Sequence, residues 1–254
     1  MNTVHAKKRL GQHFLIDKAI AQEIVNSLSG ETASVLEVGA GMGVLTQFLL
    51  QKEMDLQVVE IDSESVSYLL EHYPTLQNRL IAKDFLKLDL SALFSRKFSV
   101  IGNFPYNISS QILFKVLDYK DYIPEVVGMF QKEVAVRIAS KPGNKDYGII
   151  SVLLQAFYDI AYLFTVEAEV FSPPPKVQSA VIRLRRNAVE QLDCDEKVFK
   201  TIVKTAFNQR RKTLRNSLKT IQFTEKFTQE KIFDKRPEQL SVAEFVLLAK
   251  EVVS

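Results

Sequence analysis

One cysteine, Cys194, is too few for an internal disulfide, and the three histidines (His5, His13 and His72) are too scattered to form a zinc-ligand spacing. Neither a covalent cross-link nor a bound metal is expected, and a reducing cytosol is the natural setting. Long apolar runs are also missing. None reaches the length of a membrane span, so no membrane partner is expected. The start of the chain, MNTVHAKKRLGQHFL, has basic residues but not the apolar stretch that would make it a secretory leader. No internal repeat or low-complexity tract is present. Net charge is small, +3 over 254 residues, but it is unevenly spread. Between Lys197 and Thr224 lie eight basic residues and no acid, which leaves −5 for the rest of the chain. A second basic group, Lys7-Lys8-Arg9, sits near the N-terminus. Such concentrations suit an anionic polymer partner, and on charge alone they suit a solvated helix face equally well.

The remaining composition is that of an ordinary globular protein, 46% hydrophobic and 25% charged. Short β-branched runs alternate with longer amphipathic ones. The runs Ser34–Val38, Leu56–Ile61, Arg79–Ala82, Phe98–Gly102, Glu125–Phe130, Ile160–Val166 and Ser179–Arg185 read as strands. Helices are expected over Asp17–Leu28, Val44–Lys52, Ser63–Tyr73, Ser109–Leu117, Lys132–Ser140 and Gly148–Phe157. The first four strands are nearly continuous apolar runs, as in a parallel sheet covered on both faces. This alternation implies an α/β doubly wound sheet with right-handed crossovers. After Arg186 the strand signal stops, and residues 187–195 read as a linker. The expected division is a catalytic α/β domain over residues 1–187 and a small helical domain over 188–254.

The first strand runs into VLEVGAGMG, Val35–Gly43. Glycines at 39, 41 and 43 let the backbone turn sharply and approach a ligand closely. In open α/β sheets ligands sit outside the carboxyl ends of the strands. A dinucleotide fingerprint would need a small residue at position 44, which is Val44, so a nucleotide-dependent dehydrogenase is disfavoured. The spacing E-x-G-x-G-x-G resembles that of class I methyltransferases, whose cofactor is S-adenosyl-L-methionine. Glu60 ends the second strand, where a carboxylate can accept both ribose hydroxyls of an adenosyl group. Asp84 ends the third, where it can accept from the adenine amino group. A single acid at a strand end is commonly a helix cap; two on successive strands, after this glycine loop, favour the cofactor.

The fourth strand leads into IGNFPYNIS, Ile101–Ser109. Asn-x-Pro-Tyr at this place resembles the motif of methyltransferases acting on the adenine amino group. That nitrogen is a poor nucleophile because its lone pair is delocalised into the ring. The Asn103 side-chain oxygen and the Phe104 carbonyl can accept its two N–H groups and favour a tetrahedral nitrogen. Pro105 holds residue 104 extended and aims that carbonyl, and Tyr106 can stack on the base. No general base is required, since the proton becomes acidic once the methyl is attached, and catalysis would come from positioning and alignment. A duplex base must be flipped out to reach such a pocket. Phe171, in FSPPPKVQSAV (Phe171–Val181), is the candidate for a second flat surface, although a phenylalanine before prolines more often anchors its loop.

These segments together resemble the KsgA/RsmA family of ribosomal RNA adenine dimethyltransferases. The resemblance spans nearly the whole chain: RLGQHFL (Arg9–Leu15), VLEVGAGMG, VVEID, KDFL, GNFPYNIS, MFQKEVAVRI (Met129–Ile138), FSPPPKVQSAV and AFNQRRKTLRNSL (Ala206–Leu218) occur in the family's order. It implies a seven-stranded class I sheet, S-adenosyl-L-methionine as cofactor, and dimethylation of two adjacent adenosines in a hairpin near the 3′ end of small-subunit rRNA, within the 30S particle late in its assembly. A monomer is expected. Around the cofactor it implies His13, Leu15, Gly39, Gly41, Glu60, Ile61, Asp84, Phe85 and Asn103. Around the adenine it implies Asn103, Phe104, Pro105, Tyr106 and Phe171. The chain has His13 where relatives often carry Asn, and Phe104 where Leu is commoner. Candidate RNA-binding residues are Lys7, Lys8, Arg9, Lys204, Arg210, Arg211, Lys212 and Arg215. The sister Erm family shares the catalytic motifs but methylates large-subunit rRNA, and AFNQRRKTLRNSL favours the small-subunit side. An assembly factor whose catalysis is secondary or lost is the other alternative; the intact NFPY argues against loss.

The basic segment also has a periodicity. Lys197, Lys200, Lys204, Arg211, Arg215 and Lys219 share one face if the helix is unbroken, opposite an apolar stripe of Phe199, Ile202, Val203, Ala206 and Phe207. A break near Asn208–Lys212 would present two patches instead. Either arrangement can grip phosphates.

Overall fold

A computed structural model describes residues 4–253. Every strand expected from the β-branched runs forms, to within two residues at each end. In chain order the strands are β1 (Phe14–Leu15), β2 (Ser34–Val38), β3 (Asp55–Val59), β4 (Leu80–Ile81), β5 (Ser99–Asn103), β6 (Glu125–Gln131), β7 (Tyr158–Val166), β8 (Phe171–Ser172) and β9 (Ser179–Arg186). The helices are α1 (Lys18–Asn26), α2 (Thr46–Leu49), α3 (Ser63–His72), α4 (Ser109–Asp118), α5 (Lys132–Ala139), α6 (Ile149–Gln155), α7 (Glu196–Asn208), α8 (Leu214–Ser217), α9 (Glu225–Thr228) and α10 (Val242–Lys250). Among the described residues no helix is long and apolar enough to cross a membrane.

Seven strands form one sheet in the order β4-β3-β2-β5-β6-β9-β7. From β4 to β6 the pairings are parallel, and β9 runs antiparallel to β6, from Glu125↔Arg185 to Gln131↔Ser179. β2 is buried along its whole length, as a central strand covered on both faces must be. Its neighbours are β3 on one side and β5 on the other, so successive crossovers depart in opposite directions and open a crevice at the carboxyl ends of these strands. α1 begins where the Asp17 carboxylate accepts the N–H groups of Ala19 (2.8 Å) and Ile20 (3.1 Å). It buries Ala21, Ile24 and Val25. The two-residue strands β1 and β8 were not expected. They pair antiparallel, Phe14↔Ser172 and Leu15↔Phe171.

The chain forms two compact units, and their limits correct the expected division. The first is Met1–Ala135 with Ile160–Arg186; the second is Val136–Asp159 with Asn187–Ser254. The return at residue 187 matches the expected boundary, but Val136–Asp159 does not belong to residues 1–187 as one body. Its helix α6 buries Ile150, Val152, Leu153 and Leu154. Tyr147 in the same segment packs edge-on against Phe207 of α7, ring centroids 6.3 Å apart, and Phe207 stacks on Phe245 of α10. A helical run between two strands reads as a sheet crossover, and only its buried face reveals the second core. α7 itself starts at Asp195, which accepts from Lys197 N and Val198 N, and buries the stripe Phe199, Ile202, Val203 and Ala206. It ends at Asn208, so the basic residues beyond form a turn and the short α8 rather than a continued helix face.

Two interior positions shape the sheet end. Glu37 on β2 is 1% exposed, and its carboxyl accepts the Thr46 hydroxyl at 2.7 Å. Burial, with the nearby Glu60 charge adding to it, pushes Glu37 from 4.5 up to about 8. A proton is thus bound more tightly in the folded than the unfolded chain. The resulting stability is fully present below the unfolded pKa and is lost as pH rises through about 8. Glu37→Gln keeps an acceptor for Thr46 and cannot ionise. Thermal unfolding of the ligand-free protein from pH 5 to 9 should show the variant gaining on the parent as pH rises; parallel curves would refute the protonated Glu37. At Gly128 on β6 a Cβ would collide with the Phe104 ring and lie 2.7 Å from the Phe130 ring. Gly128→Ala should therefore cost about 1–3 kcal/mol in denaturant unfolding, and an unchanged midpoint would exclude the close packing of Phe104 on β6.

Candidate active site

The crevice at the carboxyl ends of β2–β5 holds a cavity of about 260 Å³ lined by the glycine loop, the ends of β3, β4 and β5, and the N-terminal segment 9–15. Gly39, Gly41 and Gly43 all take positive φ, +74°, +55° and +82°, the region that favours glycine. Gly39 N–H donates to the Val59 carbonyl at 2.8 Å, which ties the loop to the end of β3.

Glu60 follows β3 and is 4% exposed. One carboxylate oxygen accepts from Ile61 N (2.8 Å) and Asp62 N (2.9 Å), the other from Gly41 N (2.8 Å). Burial raises its pKa, and these three N–H groups oppose the rise. A carboxylate offers about four lone-pair positions, so a ligand hydroxyl here shares Glu60 with the loop's N–H groups. Asp84 caps the turn Phe85–Lys87 by accepting from Leu86 N at 3.0 Å. Lys115 of α4 holds the same turn: its ammonium donates to the carbonyls of Leu86 (3.0 Å) and Leu88 (2.5 Å) and lies 5.6 Å from the centre of the Phe85 ring. Ile61, 54% exposed, and Phe85 add apolar surface to the wall. Acceptor carboxylates, an apolar lining and a glycine backbone suit an adenosyl group, which has hydroxyls, an amino group and a flat ring.

The acceptor end lies at the carboxyl end of β5. Asn103 donates through Nδ2 to the His13 carbonyl at 2.9 Å, which orients its amide. Phe104 is 1% exposed; its ring packs on Phe130, centroids 5.1 Å apart, and its N–H donates to the Met129 carbonyl at 3.2 Å. Those contacts hold residue 104, whose carbonyl is the second candidate acceptor. Pro105 has φ −56° and ψ 130°. The Tyr106 hydroxyl is 2.5 Å from the Ser179 hydroxyl; burial raises its pKa, with the bond to Ser179 opposing. The His13 ring stacks on Tyr106 at 5.3 Å and 26°, and its Nδ1 pairs with the Pro173 carbonyl at 2.8 Å.

The structure thus brings His13, Leu15, Gly39, Gly41, Glu60, Ile61, Asp84, Phe85, Asn103, Phe104, Pro105 and Tyr106 to one cavity. Phe171 is not among its walls. It is 2% exposed and packs in an apolar cluster with Leu15, Val166 and Val181, so it anchors its loop and presents no open face to a base. The loop reaches the site through Ser179 and Pro173 instead. Sequence reading also missed Lys115, and nothing in local spacing could have found it. Of the basic candidates, Lys8, Arg9, Lys204, Arg210, Arg211 and Lys212 are exposed. Arg215 is exposed but paired with Asp234 at 3.0 Å. Lys7 is paired with Asp62 and Glu64, which removes it from the set of cations open to RNA.

Comparison with known proteins gives a consistent picture. The family model described as "Ribosomal RNA adenine dimethylase" matches residues 3–253. The "Ribosomal RNA small subunit methyltransferase A" of Parabacteroides distasonis is 62% identical over 250 residues, covering 98% of this chain and 94% of its own. The protein of the same name from Flavobacterium johnsoniae is 57% identical over 254 residues, covering 99% and 97%. Among solved structures, a dimethyladenosine transferase from Plasmodium falciparum superposes with a TM-score of 0.78 at 24% identity over 93% of this chain and 96% of its own. The 23S rRNA methyltransferase ErmE gives 0.70 at 24% identity over 93% and 99%; at these identities the two structures speak to the fold alone. With a family match over nearly its full length, the chain belongs to the ribosomal RNA adenine dimethylase family and is an S-adenosylmethionine-dependent rRNA adenine methyltransferase.

Proposed function

We propose that this enzyme dimethylates two adjacent adenosines in a hairpin loop near the 3′ end of small-subunit rRNA, acting as a cytoplasmic monomer on the 30S particle late in its assembly. The observation that carries the reading is Asn103: an amide oriented by the His13 carbonyl, at the strand end that flanks the glycine loop. The names of the Parabacteroides and Flavobacterium relatives support the small subunit as target.

S-adenosylmethionine, when bound, supplies an electrophilic methyl group. Glu60, Ile61, Asp84 and Phe85 hold its adenosyl part, with Gly39, Gly41, His13 and Leu15 around them. With Nδ2 committed to His13, Asn103 presents Oδ1 to an adenine N–H, and the Phe104 carbonyl takes the second. This draws the amino nitrogen toward a tetrahedral form with its lone pair free. Tyr106, braced by Ser179, supplies a flat surface for a base flipped out of its stack. Exposed Lys8, Arg9, Lys204, Arg210, Arg211 and Lys212 contact phosphates.

The test is transfer of labelled methyl groups to unmethylated small subunits and, separately, to protein-free large-subunit rRNA. About four methyls per small subunit, as two dimethyladenosines, are expected for two flipped adenosines; methylation of large-subunit rRNA alone would refute the assignment. Asn103→Ala should lower turnover by roughly 10²-fold or more while RNA binding persists, and retained turnover would remove Asn103 from the acceptor site. Arg211→Glu with Lys212→Glu should weaken rRNA binding and reduce its salt slope by roughly two without changing affinity for the cofactor; an unchanged slope would place the phosphates elsewhere.

A further inference from the structure

We propose that Lys7 is a positioning residue whose ion pairs with Asp62 and Glu64 latch the N-terminal segment 7–15 across the cofactor cavity, so that the latch governs both cofactor residence and the setting of the Asn103 amide.

The segment is anchored at its far end by the β1–β8 pairing, by Ile16 N–H donating to the Val170 carbonyl at 2.9 Å and by His13 Nδ1 at the Pro173 carbonyl. Between the ends it turns through Lys8–Leu10 into Gly11 at φ +63°, and Lys7 N–H donates to Gln12 Oε1 at 2.8 Å, closing the turn on itself. Toward the near end the Asn107 amide donates to the Arg9 carbonyl at 3.4 Å and Gln12 reaches Asp62. The charged tie there is the Lys7 ammonium, bonded to Asp62 Oδ1 and 3.0 Å from Glu64 Oε1. Asp62 is 3% exposed, and a carboxylate so buried is costly unless it is paired or hydrogen-bonded. Burial pushes its pKa up, but the bonds from Lys7, Ser65 and Gln12 outweigh this and hold it below the ordinary value, while the Lys7 pKa is raised chiefly by Asp62.

The latch bears on both halves of the site. Asp62 N–H donates to Glu60, so Lys7 grips the turn that holds the proposed ribose contact. Phe14 lies so close to the glycine loop that a Cβ at Gly41 would sit 2.9 Å from its ring. His13 offers the carbonyl that orients Asn103. One segment therefore roofs the cavity and aims the acceptor, and Lys7 ties its near end by charge.

This inference rests on the cavity being the S-adenosylmethionine site. Dissociation of S-adenosylhomocysteine would be followed at low and high salt with the full chain as parent, Lys7→Met, Lys7→Arg and the exposed change Glu64→Lys, alongside thermal unfolding. Lys7→Met should release the ligand about tenfold faster at low salt, as expected for the loss of a charged hydrogen bond. It should also lose the parent's salt dependence, raise KM for S-adenosylmethionine and lower kcat. Lys7→Arg should stay within about twofold of the parent and Glu64→Lys should shift the same way as Lys7→Met, both for the same reason. Unfolding temperatures close to the parent's would separate the latch from general destabilisation. Release from Lys7→Met and Glu64→Lys at the parent's rate would overturn the latch. A parent that binds no S-adenosylhomocysteine would refute the cofactor assignment instead.

Discussion

The hydrogen bond from the Asn103 side chain to the His13 carbonyl joins the two parts of the molecule that have to agree. Asn103 ends a strand in the middle of the sheet, and its backbone position is fixed by pairing with Met129. His13 belongs to a segment outside that sheet, held by a two-residue ribbon and a few polar contacts. An asparagine amide can turn over and exchange its donor for its acceptor at little cost when nothing opposes it. With Nδ2 committed to a carbonyl, the oxygen has one direction left. The rigid sheet fixes where the acceptor sits, and the strap fixes which atom it offers. Precision of this kind is what the proposed reaction demands, since a transfer that uses no general base depends on alignment.

The second constraint is electrostatic. Glu37 and Glu60 lie at the carboxyl ends of adjacent strands, both almost fully buried. The Glu60 charge helps raise the Glu37 pKa, and burial raises both. The site answers this repulsion in two ways. Glu60 is surrounded by three backbone N–H groups supplied by the glycine loop and the turn after β3, while burial pushes the Glu37 carboxyl up to about 8, which favours its protonated form. The glycines are needed for the first of these, because only a loop with positive φ at Gly41 points that N–H back at the carboxylate. The loop thus serves Glu60 as well as any ligand.

Much of this architecture is written in local patterns. Seven β-branched runs gave seven strands because each is long enough to show an apolar stretch between turn residues. E-x-G-x-G-x-G, Glu60, Asp84 and NFPY were legible because they lie where strand ends must be. The parts that were not legible depend on distant pairings. β1 and β8 have two residues each and pair only with each other, across a long stretch of chain that no local pattern spans. The outward reading of Phe171 failed because a loop phenylalanine carries no mark of its direction, and here it faces the apolar cluster. Val136–Asp159 has the pattern of a crossover helix whichever core it joins. The break after Asn208 was visible only as an alternative, since the basic spacing continues through it.

The tripeptide Lys7-Lys8-Arg9 shows how one charge cluster divides its work. Three adjacent cations in a chain of ordinary composition look interchangeable, and on electrostatic grounds alone all three would be assigned to phosphate. The 3₁₀ turn beginning at Lys8 separates them. Lys7 turns inward, where a buried carboxylate needs it; Lys8 and Arg9 stay exposed, and Arg9 lies on the cavity wall. Phosphate cannot readily take Lys7 from Asp62, because an uncompensated carboxylate would remain in a site with little access to water. If Lys8 and Arg9 meet RNA as proposed, they can do so without drawing on the pair that Lys7 makes with Asp62. In the proposed reading one short turn serves both the roof and the RNA, and charge pairing rather than residue type decides which of the two Lys7 serves.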